Sequence, residues 1–340
     1  MHQDLIASHR RLAVAPMMEL TDRHYRYLAR LLTRHTLLYT EMLTCKAVIH
    51  GDREYLLGKH DCEGPVVLQL GGSDCDEMAQ AAAIGESWGY QEINMNVGCP
   101  SDRVKAGRFG ACLMAEPDLV RDVVASMRDA VSIPVSVKCR LGIDRDDSYE
   151  ALLDFTRVVV QSGCTHLIVH ARKAWLDGLS PKENRTVPPL RYEYVYRLKQ
   201  AFPQLHISIN GGIENLESAA DHLEHVDGVM IGRAAYYHPA ILASADTALF
   251  GQLSGGYQHV ADHETLVSVA RDYALYMQTW IEQGVRLSAM SRHLVALFQE
   301  VPGARLWRRH ISEHASKSSS AIELVDQALT YLSDEARRSA

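Results

Sequence analysis

Short apolar runs alternate with stretches of helical periodicity from residue 11 to residue 234. Each run is rich in Val, Ile and Leu and ends in a polar residue, a glycine or a proline. The stretch after it has apolar residues three and four positions apart, which is the pattern of a strand followed by a helix. The runs recur about every 31 residues, the size of one βα unit. Eight are present: 11–17 (RLAVAPM), 35–42 (HTLLYTEM), 65–72 (PVVLQLGG), 92–100 (EINMNVGCP), 134–140 (PVSVKCR), 166–172 (HLIVHAR), 206–211 (HISING) and 227–234 (DGVMIGRA).

Eight βα units favour a closed parallel TIM (β/α)8 barrel. The alternative, a doubly wound open sheet, usually has five or six strands and a G-x-G-x-x-G turn after the first strand. This chain has neither feature. Because the carboxyl ends of barrel strands meet at one mouth, we expect the residues that end the eight runs to lie there. They are Pro16, Glu41, Gln69, Asn96, Lys138, His170, Asn210 and Gly232.

We expect the barrel to occupy residues 1–250 and a second, smaller domain to follow it. The segment 251–257 (GQLSGGY) is rich in Gly and is the predicted linker. Beyond it the strand pattern stops and apolar positions recur at helical spacing. Residues 258–340 are therefore predicted to form a small helical bundle, with helices within 262–284, 285–300 and 319–338.

The amino-acid composition excludes several classes of protein and several kinds of site. The 340 residues are 47% hydrophobic and 23% charged, which excludes disordered and collagen-like chains. The chain has neither a membrane-length apolar run nor a targeting pattern at its start, so we expect a cytoplasmic protein that is not bound to a membrane. The seven cysteines form no C-x-x-C pair, which predicts neither a disulfide framework nor a metal site. A net charge of −7 means that an RNA partner would have to meet a local basic face.

Glycines follow the last two strand runs. They are Gly211 and Gly212, after Asn210, and Gly232, before Arg233. Loops after the seventh and eighth strands of this fold commonly bind phosphate through backbone N–H groups, so a phosphorylated ligand is expected. The alternative is that these are ordinary turn glycines.

Three side chains at strand ends, Gln69, Lys138 and His170, are expected to converge at the barrel mouth. A lysine in a strand made otherwise of Val and Ser is costly unless an anion or a polarised ring meets it. A flavin fits this need, because a reduced flavin carries negative charge that a lysine stabilises. The alternatives are an ion pair between Lys138 and a barrel carboxylate, and a structural role for His170 in the core.

Cys99 ends the fourth run, between a glycine that permits close approach and a proline that fixes the turn. A lone cysteine is usually only a small hydrophobic residue. At this position, however, it is expected to face the mouth, and an ordinary thiol is mostly protonated at neutral pH. We therefore interpret Cys99 as a candidate proton donor.

Several motifs together resemble the tRNA-dihydrouridine synthases, specifically the synthase A subgroup. They are VAPMMELTD, VVLQLGG, NMNVGCPSDRV, GRFGACLM, VSVKCRLG, VHARKAWLDGLSPKENR, SINGG, IGRAAY and PGARLWRR. The resemblance implies reduction of the C5=C6 bond of D-loop uridines at positions 20 and 20a of tRNA, with bound FMN and with NADPH as reductant. It implies that Cys99 is the acid and that FMN is held by Pro16, Met17, Met18, Gln69, Lys138, His170, Asn210, Gly211, Gly212, Gly232 and Arg233. We expect a monomer.

The chemistry of uracil agrees with these roles. Hydride adds at C6, and a proton must then reach C5, where Cys99 can deliver it. Asn96 is placed to hydrogen-bond the uracil edge. A base inside folded tRNA must be extracted, so the enzyme needs phosphate contacts elsewhere. The candidates for RNA contact are Arg103 and Lys105 near Cys99, Arg172, Lys182 and Arg185 after the sixth run, and Arg305 and Arg308 in the helical domain.

Three other hypotheses remain at this stage. The first is an FMN barrel oxidoreductase for a free small molecule, similar to dihydroorotate dehydrogenases. The second is an isomerase or aldolase in which Lys138 forms a Schiff base. The third is an RNA-binding module without turnover.

Overall fold

The computed structural model describes residues 2–101, 104, 106–251 and 262–332, with side chains from Ile6 onward. Within these residues eight parallel strands form one sheet in the order β1-β8-β7-β6-β5-β4-β3-β2. The strands are β1 Leu12–Val14, β2 Leu38–Thr44, β3 Val66–Gly71, β4 Glu92–Val97, β5 Val135–Arg140, β6 His166–His170, β7 His206–Asn210 and β8 Gly228–Ile231.

Backbone hydrogen bonds at Leu37 join the two ends of this sheet. The N–H of Val14 donates to the Leu37 carbonyl, and the N–H of Leu37 donates to the Leu12 carbonyl, both at 2.9 Å. The predicted TIM barrel is therefore confirmed, and each predicted run overlaps one strand. Inside the barrel lies a cluster of buried apolar side chains: Ile6, Ala13, Ala15, Leu37, Tyr39, Val67, Ile168 and Met230.

Helices connect the strands and form the C-terminal part of the chain. In chain order they are α1 His2–His9, α2 Arg23–Leu32, α3 Cys45–His50, α4 Arg53–Leu57, α5 Cys75–Ser87, α6 Pro117–Ala130, α7 Tyr149–Val160, α8 Tyr192–Ala201, α9 Leu216–Leu223, α10 Arg233–Tyr237, α11 Ala240–Phe250, α12 His263–Glu282, α13 Leu287–Ser291, α14 Ala304–His314 and α15 Ala321–Leu329.

Local sequence signals fix where the barrel helices begin. The side chains of Asp74, Ser148 and Asn215 accept hydrogen bonds from backbone N–H groups in the first turns of α5, α7 and α9. Pro117 occupies the first turn of α6, where its missing N–H costs nothing. These caps set the length of each loop at the strand ends, and the loops carry the site described below.

The chain falls into two compact units. The first is Met1–Glu19 with Leu37–Gly232, and the second is Leu20–Thr36 with Arg233–Ala340. Most of the predicted linker, 252–257, lies outside the described residues, and the predicted domain limits stay a prediction. Helices α12, α13 and α15 lie within the three predicted helical stretches, of which 333–338 is outside the described part. No helix in the described ranges is long and apolar enough to span a membrane.

Two aspartates hold α2 within the second unit. Asp22 caps α2 by accepting from the N–H of Tyr25, and it forms ion pairs with Arg292 at 2.6 Å and His293 at 3.1 Å. Burial raises the pKa of Asp22, but the hydrogen bond and charge of His293 outweigh it and hold the pKa well below its usual value. At the other end of α2, the buried Asp246 accepts from the Thr33 hydroxyl at 2.6 Å.

Asp246→Ala is expected to destabilise the protein by about 2–3 kcal/mol, because the Thr33 hydroxyl and two backbone N–H groups lose their acceptor. The measurement is urea unfolding followed by far-UV circular dichroism. The matched control is Asp272→Ala, on the exposed face of α12, which is expected to change stability by less than about 0.5 kcal/mol. Equal losses in the two variants would contradict the prediction.

Candidate active site

The candidate site is built from side chains that stand in register on neighbouring strands. Asn96 of β4 is opposite Lys138 of β5. Arg140 of β5 is opposite His170 of β6, which is in turn opposite Asn210 of β7. Because these positions are at or near the carboxyl ends of parallel strands, Lys138 and His170, two of the three side chains predicted to converge, share one rim of the barrel.

Lys138 is held by a short chain of hydrogen bonds. Its Nζ donates to Asn210 Oδ1 at 3.1 Å, and Asn210 Nδ2 donates to the carbonyl oxygen of Met230 at 2.7 Å. Burial, and then the charge of Arg140, lowers the pKa of Lys138 to about 8. No carboxylate of the described residues pairs with Lys138, so its remaining N–H groups suit an anionic or polarised acceptor.

His170 is a neutral imidazole. Burial, followed by the charges of Arg140 and Lys138, lowers the pKa of His170 well below its usual value. A neutral ring offers one donor and one acceptor. The backbone after β7 passes close to this ring, because a Cβ on Gly211 would lie 2.6 Å from His170 Cδ2.

The glycine turns after β7 and β8 have the features of a phosphate cradle. Gly211 and Gly212 have φ of +113° and +71°, a region that favours glycine. The N–H groups of Gly211, Gly212 and Gly232 donate to no other described residue. A Cβ on Gly232 would make only ordinary van der Waals contacts, with Ala15 and Met17, both at 3.7 Å.

The loop after β4 carries Cys99 on a rigid turn. Asn96 Oδ1 accepts from the backbone N–H of Gly98 at 3.1 Å and from that of Cys99 at 2.9 Å. The Cys99 carbonyl accepts from the N–H of Ala111 at 2.9 Å, which ties the start of the loop to its end. The Cys99 thiol is half-buried, with Sγ 3.5 Å from Ser101 Oγ.

Arg140 connects the Cys99 loop to the long loop after β6, a role that the sequence analysis missed. Its Nε donates to the Gly98 carbonyl at 2.8 Å, and its Nη1 donates to the carbonyls of Lys173 at 3.0 Å and Asn184 at 2.9 Å. Burial lowers the pKa of Arg140 to about 10, so it stays charged at neutral pH. The sequence feature that could have indicated this role is the presence of an arginine two residues after Lys138, in a strand whose other residues are mostly apolar.

The loop after β6 is organised around the buried Asn184. Its Oδ1 accepts from the N–H of Trp175 at 2.7 Å, and its Nδ2 donates to the carbonyls of Trp175 and Leu179. Lys182 and Arg185, on either side of Asn184, are exposed. The basic side chains predicted to contact RNA are thus displayed on a loop whose centre is fixed.

The other predicted site residues lie after β1, after β6, outside the described residues, or in the second unit. Pro16 and Met17 follow β1 half-buried, with Met17 packed against the barrel core, and Met18 is 54% exposed. Arg172 is half-buried and donates to the Pro188 carbonyl. Arg103 and Lys105 lie outside the described residues. The predicted residues that the second unit carries are exposed at the start of α10 and on α14: Arg233, Arg305 and Arg308.

Comparison with known proteins agrees with this geometry. A family model described as "Dihydrouridine synthase (Dus)" matches residues 13–333. The chain belongs to the dihydrouridine synthase family. Its sequence is 52% identical over 96% of its length to a Vibrio vulnificus protein named tRNA-dihydrouridine(20/20a) synthase, 98% of which is covered. Proteins of the same name from Synechocystis and from Escherichia coli K12 are each 53% identical, with 94% and 96% of this chain and 93% and 92% of theirs covered.

A solved structure of 2-naphthoyl-CoA reductase with 2-naphthoyl-CoA has a similar fold. Its TM-score is 0.52 at 9% identity, over 72% of this chain and 50% of that one. At this identity the likeness concerns the fold alone. Membership of a family of flavin-dependent oxidoreductases excludes the Schiff-base isomerase and the RNA-binding module without turnover.

The residues at the rim fit a flavin mononucleotide. Free N–H groups at Gly211, Gly212 and Gly232 suit its phosphate, and the Lys138 ammonium suits the electron-rich edge of its ring. Across the described ranges, no group of three His, Cys, Asp or Glu side chains is arranged to hold a metal ion.

The affinity of the apoprotein for FMN is expected to weaken as pH rises through about 8, because Lys138 loses its charge there. Lys138→Met is expected to bind FMN about tenfold more weakly at pH 7 and to show a flat response between pH 7 and 9. Quenching of flavin fluorescence gives the dissociation constants. Lys46→Met, whose side chain is 71% exposed on α3, is the control that keeps the parent profile. A parent-like profile in Lys138→Met would remove the lysine from the flavin site.

Proposed function

We propose that this protein is a tRNA-dihydrouridine synthase that reduces the C5=C6 bond of uridines 20 and 20a in the D-loop, with bound FMN and with NADPH as reductant. The observation that carries the proposal is the position of Cys99. Its loop is tied to the rim where Lys138, His170 and Asn210 meet, and Arg140 links it to a basic loop. The names of relatives that are 52–53% identical support the substrate and its two positions.

The reaction requires one hydride and one proton. Conjugation with the C4 carbonyl makes uracil C6 electrophilic, and reduced FMN supplies the hydride there. Negative charge then develops at C5, and the Cys99 thiol donates the proton to that carbon, a contribution of about 10²–10⁴ in rate. The charged groups of Lys138 and Arg140 lie close enough to Cys99 to interact with it electrostatically.

Asn96 has a more restricted role than the sequence suggested. Its Oδ1 is already used by the N–H groups of Gly98 and Cys99, and one Nδ2 hydrogen bonds Gln69 Oε1 at 2.8 Å. One Nδ2 hydrogen is left, and it suits a carbonyl oxygen of the uracil. Asn96 therefore serves two tasks, which are to fix the Cys99 turn and to hold the base.

Extraction of the base from folded tRNA costs a few kcal/mol and needs contacts to the backbone phosphates. The exposed Lys182 and Arg185 of the first unit, and Arg305 and Arg308 of the second, supply positive charge that the total of −7 conceals. Arg172, Arg103 and Lys105 complete the proposed set, and Arg233 completes the set for FMN. We further propose that the protein is a cytoplasmic monomer.

The function is tested in cells that lack this protein. Mass spectrometry of their tRNA is expected to show nucleotides 20 and 20a lighter by two hydrogens each, and re-expression of the protein restores both. The related hypothesis, an FMN enzyme for a free pyrimidine, predicts unchanged tRNA and turnover of a free uracil compound by the purified protein.

Cys99→Ala is expected to bind FMN and tRNA as the parent does and to form product about 10²–10⁴ times more slowly, because the proton donor is lost. Single-turnover formation of dihydrouridine measures the rate. Cys75→Ala, a partly exposed thiol at the start of α5, is the control and keeps the parent rate. If Cys99→Ala turns over at the parent rate, another group is the acid.

Arg185→Ala and Arg308→Ala are each expected to weaken tRNA binding about uniformly across sequences and to reduce the slope of log K against log salt by about one. Salt titrations of tRNA binding measure both quantities. Arg157→Ala is the control, because this arginine is exposed on α7 and pairs with Asp154. Slopes equal to that of the control would place the RNA surface elsewhere.

A further inference from the structure

A line of buried polar side chains runs inside the barrel from the beginning of β4 to the Cys99 loop. We call it the polar chain. None of its members is more than 7% exposed. Each is linked to the next by a hydrogen bond of 2.5–2.9 Å, in the order Glu92, Ser136, Asn94, Gln69, Asn96.

The charge of Glu92 fixes the direction of every hydrogen bond in the polar chain. A carboxylate only accepts, so the Ser136 hydroxyl must donate to Glu92 Oε1. The Ser136 oxygen then accepts from Asn94 Nδ2, which leaves Asn94 Oδ1 to accept from Gln69 Nε2. Gln69 Oε1 in turn accepts from Asn96 Nδ2.

The other end of the polar chain demands the same direction. The backbone N–H groups of Gly98 and Cys99 only donate, so Asn96 must present its oxygen to them. Were the amides reversed, Asn96 Nδ2 would face these two N–H groups, donor against donor, and the turn would lose both bonds. An anion at one end and two N–H groups at the other therefore specify a single arrangement of the three amides.

Glu92 is itself firmly anchored. Its Oε2 accepts from Arg10 Nε at 3.0 Å and Nη2 at 2.5 Å, and its Oε1 lies 3.2 Å from His166 Nδ1. Burial raises the pKa of Glu92, but the charges of Arg10 and His166 outweigh it and hold the pKa at about 2. The carboxylate is thus ionised at neutral pH, and it only accepts hydrogen bonds there.

We propose that Glu92 is a positioning residue for the Cys99 turn, acting through Ser136, Asn94, Gln69 and Asn96. It is the first residue of β4, at the end of the strand away from the Cys99 turn, and it lies seven residues before the thiol. The importance of the Cys99 turn rests on the proposed function, whereas the coupling between Glu92 and that turn does not.

Ser136→Ala tests the proposal by cutting the polar chain while keeping Glu92 with Arg10 and His166. Hydrogen exchange of the peptide 97–101, read by mass spectrometry on the FMN-free protein, reports the N–H groups of Gly98 and Cys99. We expect exchange in this peptide to be at least about tenfold faster than in the parent, and exchange in a β7 peptide to be unchanged. Ser136→Thr keeps a hydroxyl and is expected to restore slow exchange.

Ser208→Ala is the matched control. Ser208 is equally buried and bonds His166 Nε2 at 2.9 Å, on the side of Glu92 away from the polar chain. It is expected to leave exchange in peptide 97–101 at the parent rate. If Ser136→Ala and Ser208→Ala exchange alike in this peptide, the polar chain does not position the turn and the proposal is wrong.

Asn94→Ala cuts the polar chain one bond nearer the loop and leaves the bond from Ser136 to Glu92 intact, so it serves should Ser136→Ala fail to fold. The same acceleration is expected, and parent-like exchange overturns the proposal. The readout needs neither tRNA nor turnover. Failure of Cys99→Ala to lose activity would therefore remove the thiol from the reaction and leave the exchange result standing.

Discussion

Polar groups inside a barrel need partners, because a buried donor or acceptor left without one costs about 1–3 kcal/mol. For Lys138, Asn210 and Arg140 this requirement is met by bonds that run between strands and loops. Lys138 is bonded to Asn210, which is bonded to the Met230 carbonyl, and Arg140 bonds three carbonyls. The same burial that makes these bonds necessary lowers the pKa values of Lys138 and His170. Burial of the side chains at the rim therefore accounts both for their hydrogen bonds and for their lowered pKa values.

Arg140 joins the turn of Cys99 to the loop after β6. Its single guanidinium holds the Gly98 carbonyl on one side and the Lys173 and Asn184 carbonyls on the other. The loop with the thiol and the loop with exposed basic side chains therefore have a shared support. Under the proposed function, RNA phosphates that bind Lys182 and Arg185 would contact a loop that Arg140 joins to the turn of Cys99. A lysine could not replace this arginine, because it lacks the fork of donors that reaches three acceptors.

The sequence was sufficient for features that repeat or that end an element. Apolar runs of the right spacing predicted eight strands, and the polar residues at their ends predicted Lys138, His170 and Asn210 at one rim. Hydrogen bonds to backbone carbonyls could not be predicted, because every residue has a carbonyl and only the folded path places it. The role of Arg140 was missed for that reason. The hydrogen bonds that Asn96 accepts within the Cys99 turn were missed for the same reason. The donors are main-chain N–H groups two and three residues after Asn96.

The contacts of helix α2 could not be predicted from the local sequence pattern either. Its partners Asp246 and Arg292 lie more than 200 residues further along the chain. The chain leaves the first unit after Glu19, forms α2 within the second, and returns at Leu37. During synthesis α2 therefore emerges from the ribosome long before Asp246 and Arg292 exist. Until they arrive its apolar side has no permanent cover, and a nascent chain stopped at residue 250 would still lack the partner of Asp22. A gene cut at residue 250 would separate α2 from two of its ionic partners, so neither fragment would carry the full set of contacts of the second unit.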